Sequence, residues 1–417
     1  MDPALKMLAV QYKKSIPRYL WVRSLGARFP RVVTGPGSFL RLTRLTEPPL
    51  PTAFWVRVRP LLSGICGSDV GAITGRSSLY LSAFLSFPFV PGHEVVGEVV
   101  EVGSKVTAVK EGARVVLEPA LGCTVRGFSE TCRPCHEGHY ANCQRVTEGD
   151  ISAGIQTGYC SDTGGGWGAQ LVAHESQLHL IPPDLPNEAA VLTEPLSCAV
   201  HGVRRAQIQE GDKVLVIGCG TIGLLVITAL KSEFPTCTIT AVARYPHQAK
   251  LAQGLGVDYV VQSGMKGYEQ LAKLSDATLH PLVMGNPSVL GGFDVVLECS
   301  GSAKGMEDAL RWTRSQGQVV LMGVPETARL DLTALWYSEL SVKGAYTYSM
   351  EGNGEGSVRS FKLAIELLSR DGWAERLIPL VRHRFPLSHY RNAIATAMSP
   401  ARYESVKTVF EFPETEA

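Results

Sequence analysis

Alternation of apolar and polar positions marks the first part of the chain. Residues 5–12 (Leu-Lys-Met-Leu-Ala-Val-Gln-Tyr), 39–45, 54–60, 95–102 and 169–173 read as half-buried strands, and residues 114–117 form another, stopped by Pro119. Short strands punctuated by Gly and Pro predict an antiparallel β-rich domain. The stretch between the first two strands is rich in Arg, Gly and Pro and shows no period. Further on, Asn187 is placed to cap an alanine-rich helix. The pattern then changes. Residues 213–217 (Lys-Val-Leu-Val-Ile) form a nearly continuous apolar strand, as in a buried parallel sheet, and residues 224–230 continue as helix. Strands at 238–243, 257–261, 293–298, 317–322 and 340–344, with helices at 266–273 and 304–313, predict a doubly wound parallel sheet. Val358, Phe361, Ile365 and Leu368 recur at helical steps, and residues 405–412 are a closing strand returning to the first domain. The expected division is residues 1–186 with 350–417 against residues 187–349.

Composition agrees with a two-domain globular chain: 417 residues, 45% hydrophobic and 19% charged. A formal net charge of +1 without a long basic run argues against a nucleic-acid partner. Residues 214–230 are uncharged and approach membrane-spanning length, but glycines and the strand-then-helix pattern break them. The first residues carry no continuous apolar run of the signal-peptide kind. A soluble cytoplasmic protein with no membrane partner is expected.

Candidate chemistry gathers first between residues 61 and 103. Gly64-Ile-Cys66-Gly-Ser68-Asp69 is followed by Pro91-Gly-His93-Glu94-Val-Val-Gly97. A thiolate, an imidazole and a carboxylate suit zinc, although a satisfied core histidine beside an unrelated cysteine has the same letters. Cys132, Cys135 and Cys143 have the spacing of a loop folded around one ion, with Cys123 or Cys160 as fourth ligand; buried or redox cysteines are the alternative. The glycine-rich run 158–168 precedes a strand, so it predicts a tight loop and not a phosphate cradle. Glu194, beside Pro195 in an apolar stretch, needs a partner: a metal, a metal-bound water or an Arg.

Gly218-Cys-Gly220-Thr221-Ile222-Gly223 lies between a strand and a helix, with a second strand at the right distance. That context predicts a dinucleotide-binding turn, against glycines kept for packing alone. At the end of the second strand the acid expected for NAD is absent and Arg244 is present, which favours NADP and leaves NAD possible; an Arg that stacks on adenine or faces solvent is the other reading. Ser300, Gly301 and Gly323 fall at carboxyl ends of later strands, where the nicotinamide end is expected.

Together, Gly-x-Cys-Gly-Ser-Asp, Pro-Gly-His-Glu-x-x-Gly, the cysteine loop, Glu194-Pro-Leu-Ser-Cys and the glycine turn resemble the zinc-dependent medium-chain alcohol dehydrogenases, nearest their sorbitol, threonine and glucose dehydrogenase branch. The resemblance implies a GroES-like catalytic domain interrupted by a Rossmann domain, an active site in the cleft, and a homodimer or homotetramer. It implies that Cys66, His93 and Glu94 hold a catalytic zinc, with Glu194 binding it or its water. Ser68 would pass the alcohol proton and Asp69 would orient the ligands. Cys123, Cys132, Cys135 and Cys143 would hold a structural zinc. The sequence departs from the family at Gly71, where several relatives carry a relay histidine, in extra residues after Cys123, and in additional chain at 74–90 and over the first forty residues. The implied reaction is hydride transfer between a small secondary alcohol, polyol or sugar and NAD(P). Alternatives are a zinc-free quinone or enoyl reductase and a catalytically silent nucleotide-binding redox sensor.

Overall fold

The computed structural model describes residues 6–413 apart from residues 27, 28, 30, 325, 326, 353 and 371. Contacts divide the chain into two compact units, Met1–Glu194 with Gly352–Ala417, and Pro195–Glu351. The expected boundaries were 186/187 and 349/350; the first junction instead falls inside the helix Thr193–Arg205.

The first unit is built on a seven-stranded sheet with Trp55–Gly64 at its centre. This strand pairs antiparallel with Val95–Val102, with Leu171–His174 and with the closing strand Lys407–Glu411, so the end of the chain does return to the first domain. Its alternating Val56 and Val58 bury against Val95, Val99, Val115 and Leu171. Burial of apolar side chains on this sheet face stabilises the unit. Lys6–Tyr12 pairs antiparallel with Leu40–Thr46, as the alternation predicts; Leu5 lies outside the described residues. Between these strands the unreadable segment holds the helix Ile16–Leu25, opened by Pro17 in its first turn.

Asn187 does not cap its helix. Pro186 takes that position, and the Asn187 Oδ1 accepts from the Arg114 guanidinium at 2.8 Å. The glycine-rich run is a loop, as expected. Gly166 and Trp167 donate to the carbonyls of Gly92 and Pro91, both at 2.9 Å, and so buttress the turn that carries His93.

The second unit holds six parallel strands: Lys213–Ile217, Thr238–Ala243, Tyr259–Gln262, Phe293–Glu298, Thr313–Leu321 and Ser341–Gly344. Numbered along the chain, their lateral order is 3-2-1-4-5-6, the doubly wound order of dinucleotide-binding sheets. Val214, Leu215, Val216, Val296 and Val319 are buried within it. The small hairpin Thr278–His280 with Ser288–Leu290 was not predicted, because its strands are too short to show a period.

Candidate functional site

Twenty-six residues separate Cys66 from His93 in sequence, and the sheet removes that distance. Cys66 follows the central strand and caps the short helix Gly67–Ile73. His93 and Glu94 precede the neighbouring strand, whose register sets Val95 against Ser63. The Gly64 N–H donates to the Glu94 carbonyl at 2.8 Å and extends the ladder into the site. One donor atom from each of Cys66, His93 and Glu94 lies within 4.8 Å of the others. His93 and Glu94 are buried. Gly64 leaves room for this arrangement, because a Cβ there would run into the Glu94 carboxylate.

Asp69 ties the two halves together. Its Oδ2 accepts from the Cys66 N–H at 2.9 Å, and its Oδ1 lies 3.7 Å from His93 Nδ1. Burial pushes the Asp69 carboxyl up from its ordinary value, against the pull of His93 and the Cys66 N–H. The Ser68 hydroxyl is buried, with no hydrogen-bond partner among the described residues. Glu194 is buried and interacts electrostatically with His93, but it stands outside the compact three-donor set.

Sequence reasoning missed Lys407. Its ammonium donates to both Glu94 oxygens, at 2.6 and 2.5 Å, from a fully buried position on the closing strand. A lysine inside an otherwise apolar run was the available signal, since a buried ammonium requires a carboxylate partner. Lys407 balances the Glu94 charge, and Glu94 still keeps an oxygen within reach of Cys66 and His93.

The second cluster is Cys123, Cys132, Cys135 and Cys143, whose sulfurs all lie within 4.8 Å of one another. Cys160 is elsewhere, with its thiol toward the Ser152 carbonyl at 3.4 Å. All four cluster cysteines are free thiols. Backbone N–H groups of Cys132, Gln144 and Arg145 point at the sulfurs of Cys123, Cys132 and Cys143, at 3.3, 3.4 and 3.3 Å. Such donors favour thiolates. The hydrogen bond from Cys135 holds Cys143 down to about 5, while Cys135 and Cys123 are pushed up. Four adjacent thiols do not ionise together without a cation, so a tetrahedral metal fits this donor set. The surrounding loop is stapled by the buried Arg126, which donates to the carbonyls of Leu121, Glu148 and Gly154 at 3.0, 2.7 and 2.6 Å.

In the second unit, Gly218 has a φ of 97° and packs against Ser300. A Cβ on Gly223 would strike the Gly218 carbonyl, whereas one on Gly220 meets no protein atom within 4 Å. The three glycines therefore make the turn, leave open space at the N-terminus of the helix Thr221–Glu233, and let helix and strand approach closely. Thr221 and Ile222 are the first residues of that helix. Arg244 is exposed just past the second strand, its guanidinium 5.4 Å from the Tyr245 ring centre. Gly301 and Gly323 abut at the carboxyl ends of the fourth and fifth strands. Beside them the buried Glu298 accepts from the N–H groups of Ser300 and Gly301 at 2.8 and 3.1 Å, and burial pushes its carboxyl up.

Comparison with known proteins agrees with both halves. Residues 52–183 match the alcohol dehydrogenase GroES-like domain, and residues 221–370 match the zinc-binding dehydrogenase domain. Sorbitol dehydrogenase of Arabidopsis thaliana is 30% identical over 358 residues, 85% of this chain and 88% of that protein. Sorbitol dehydrogenase of Ovis aries is 29% identical over 370 residues, 88% of this chain and 92% of that protein. Among solved structures, a zinc-binding dehydrogenase from Sinorhizobium meliloti 1021 bound to NADP superimposes with a TM-score of 0.69 at 24% identity, covering 98% of this chain and 100% of that one. Sequence motifs, fold and relatives converge: the chain belongs to the zinc-dependent medium-chain alcohol dehydrogenases, in their sorbitol dehydrogenase-like branch.

Proposed function

We propose that the chain is a zinc-dependent dehydrogenase that moves hydride between a secondary hydroxyl of a polyol or sugar-type alcohol and NADP, with NAD as the weaker cofactor, and that it works as a homo-oligomer. The observation that carries this reading is the convergence of the Cys66, His93 and Glu94 donor atoms within 4.8 Å. The unpartnered Ser68 hydroxyl, two residues from Cys66, adds to it. The donor set fits zinc in chemistry and spacing. Bound there, the metal supplies Lewis acidity toward a substrate hydroxyl, and the nicotinamide supplies the hydride acceptor.

The protein's own groups do the rest. Ser68 accepts the substrate hydroxyl's proton at Oγ. Asp69 fixes the Cys66 turn and faces the His93 ring, which supports ligand orientation. Lys407 holds the Glu94 carboxylate in place through both of its oxygens. Gly71 brings no side chain to continue the proton path beyond Ser68. Arg244, exposed at the strand end, is available to a 2′-phosphate. The polyol class is supported by the relatives named above, whose substrate is sorbitol.

The test is a panel of polyols, sugars and simple secondary alcohols assayed with NAD and NADP. Cys66→Ser should lose turnover on every active substrate while binding the cofactor as before. Full turnover by Cys66→Ser would refute the assignment. An Arg244→Ala variant that keeps its NADP preference would remove the cofactor part alone.

A further inference from the structure

The helix Ile16–Leu25 faces the wrong way for an ordinary surface helix. Its inner side is fixed by Val22, which is buried with Met7, Val33 and Phe39, and by Arg23, which donates to the Gly75 carbonyl at 2.7 Å. Tyr19 packs beside the same glycine. This anchoring turns Ile16, Leu20 and Trp21 outward, at 73%, 59% and 51% exposure. Their spacing puts them on one face, with exposed Pro17 and Ser24 among them. Four residues after Gly75, the short helix Leu79–Phe84 exposes Leu79, Tyr80 and Leu81 as well.

Charge sharpens the picture. Residues 3–46 carry nine Lys and Arg and no Asp or Glu, within a chain that balances 40 against 39. The remainder is therefore net acidic, and the near-neutral total conceals a basic segment. Lys13 and Lys14, just before the helix, are exposed, and neither is in an ion pair among the described residues. The segment lies outside residues 52–183 that match the GroES-like domain.

An exposed Ile-Leu-Trp face preceded by two exposed lysines without carboxylate partners suits a helix that lies in a membrane interface. We propose that residues 13–25 dock this protein on an anionic lipid surface, with Ile16, Leu20 and Trp21 inserted among the acyl chains and Lys13 and Lys14 against the headgroups. Charge complementarity selects this occupant, because juxtamembrane Lys and Arg are attracted by the negative surface potential of such membranes. The attachment is peripheral; among the described residues no helix is long and apolar enough to cross a membrane. It revises the expectation of no membrane partner, which rested on the net charge of the whole chain.

The experiment is co-sedimentation of the full chain with vesicles of phosphatidylcholine alone and of phosphatidylcholine mixed equally with phosphatidylserine. The mixed vesicles should carry the protein down, the neutral ones should not, and added salt should weaken the binding. Leu20→Glu with Trp21→Glu, and separately Lys13→Glu with Lys14→Glu, should each lower the partition coefficient by roughly tenfold or more, with alcohol oxidation and melting temperature unchanged. No binding, equal binding to both vesicle types, or variants that bind like the parent would overturn the proposal. So would an assembly without lipid that the Leu20→Glu/Trp21→Glu variant alone dissolves, which would make the face an interface between two copies.

Discussion

Lys407 and Glu94 are each almost completely buried, and they form an ion pair across 313 residues of sequence. Removing one member of such a pair strands the other charge. Lys407→Met should therefore destabilise the metal-stripped protein by on the order of 3 kcal/mol. With zinc present the loss should be smaller, because the metal takes over the Glu94 charge. Thermal melts with and without chelator test this; an equal loss in both states would mean that Glu94 does not face the metal. Glu118 offers a pH test. Burial pushes its carboxyl up, but His179 and Arg359 outweigh burial and hold it below its ordinary 4.5. A carboxyl held down in the folded state adds stability at pH above its unfolded value, and that contribution fades as the pH falls through the folded value. The stability gap between the parent and Glu118→Gln should be full at neutral pH and should close as the pH drops below 4.5. A gap that persists in acid would assign the effect to packing.

The glycine turn separates two roles along one strand-turn-helix element. Gly220→Ala adds a methyl group in open space, so melting should hardly change while the cofactor KM rises roughly tenfold, as a backbone cradle for phosphate demands. Gly223→Ala drives a methyl into the Gly218 carbonyl and should cost about 1–3 kcal/mol of stability. The reverse ranking in melts and kinetics would contradict the assignment of the open side. This element was legible in the sequence because its determinants are local: an apolar strand, glycines at fixed steps, a helix. Cys66 and His93 were legible for a similar reason, each inside a compact motif. Lys407 was not legible as a site residue, since its partner is distant in sequence and only the sheet brings it close. The helix Ile16–Leu25 escaped for a different reason. Periodicity shows that apolar residues share a face, but Val22 inside and Leu20 outside have the same hydrophobic character. Asn187 was misplaced because Arg114 competes for its side chain.

The first unit holds both candidate metal sites and the second holds the glycine turn. In the first, the cysteine cluster is remote in sequence from the Cys66 turn and is stapled separately by Arg126. Cys132→Ser should lower the melting temperature and loosen the loop 121–154, whereas Cys66→Ser should spare the fold. The measurement that tests the account most directly is zinc content per chain, by elemental analysis, for the parent and these two variants. The account predicts about two equivalents in the parent and about one in each variant, with activity lost in Cys66→Ser while the chain still folds cooperatively. A parent without zinc, or a Cys66→Ser protein that keeps both ions, would contradict it.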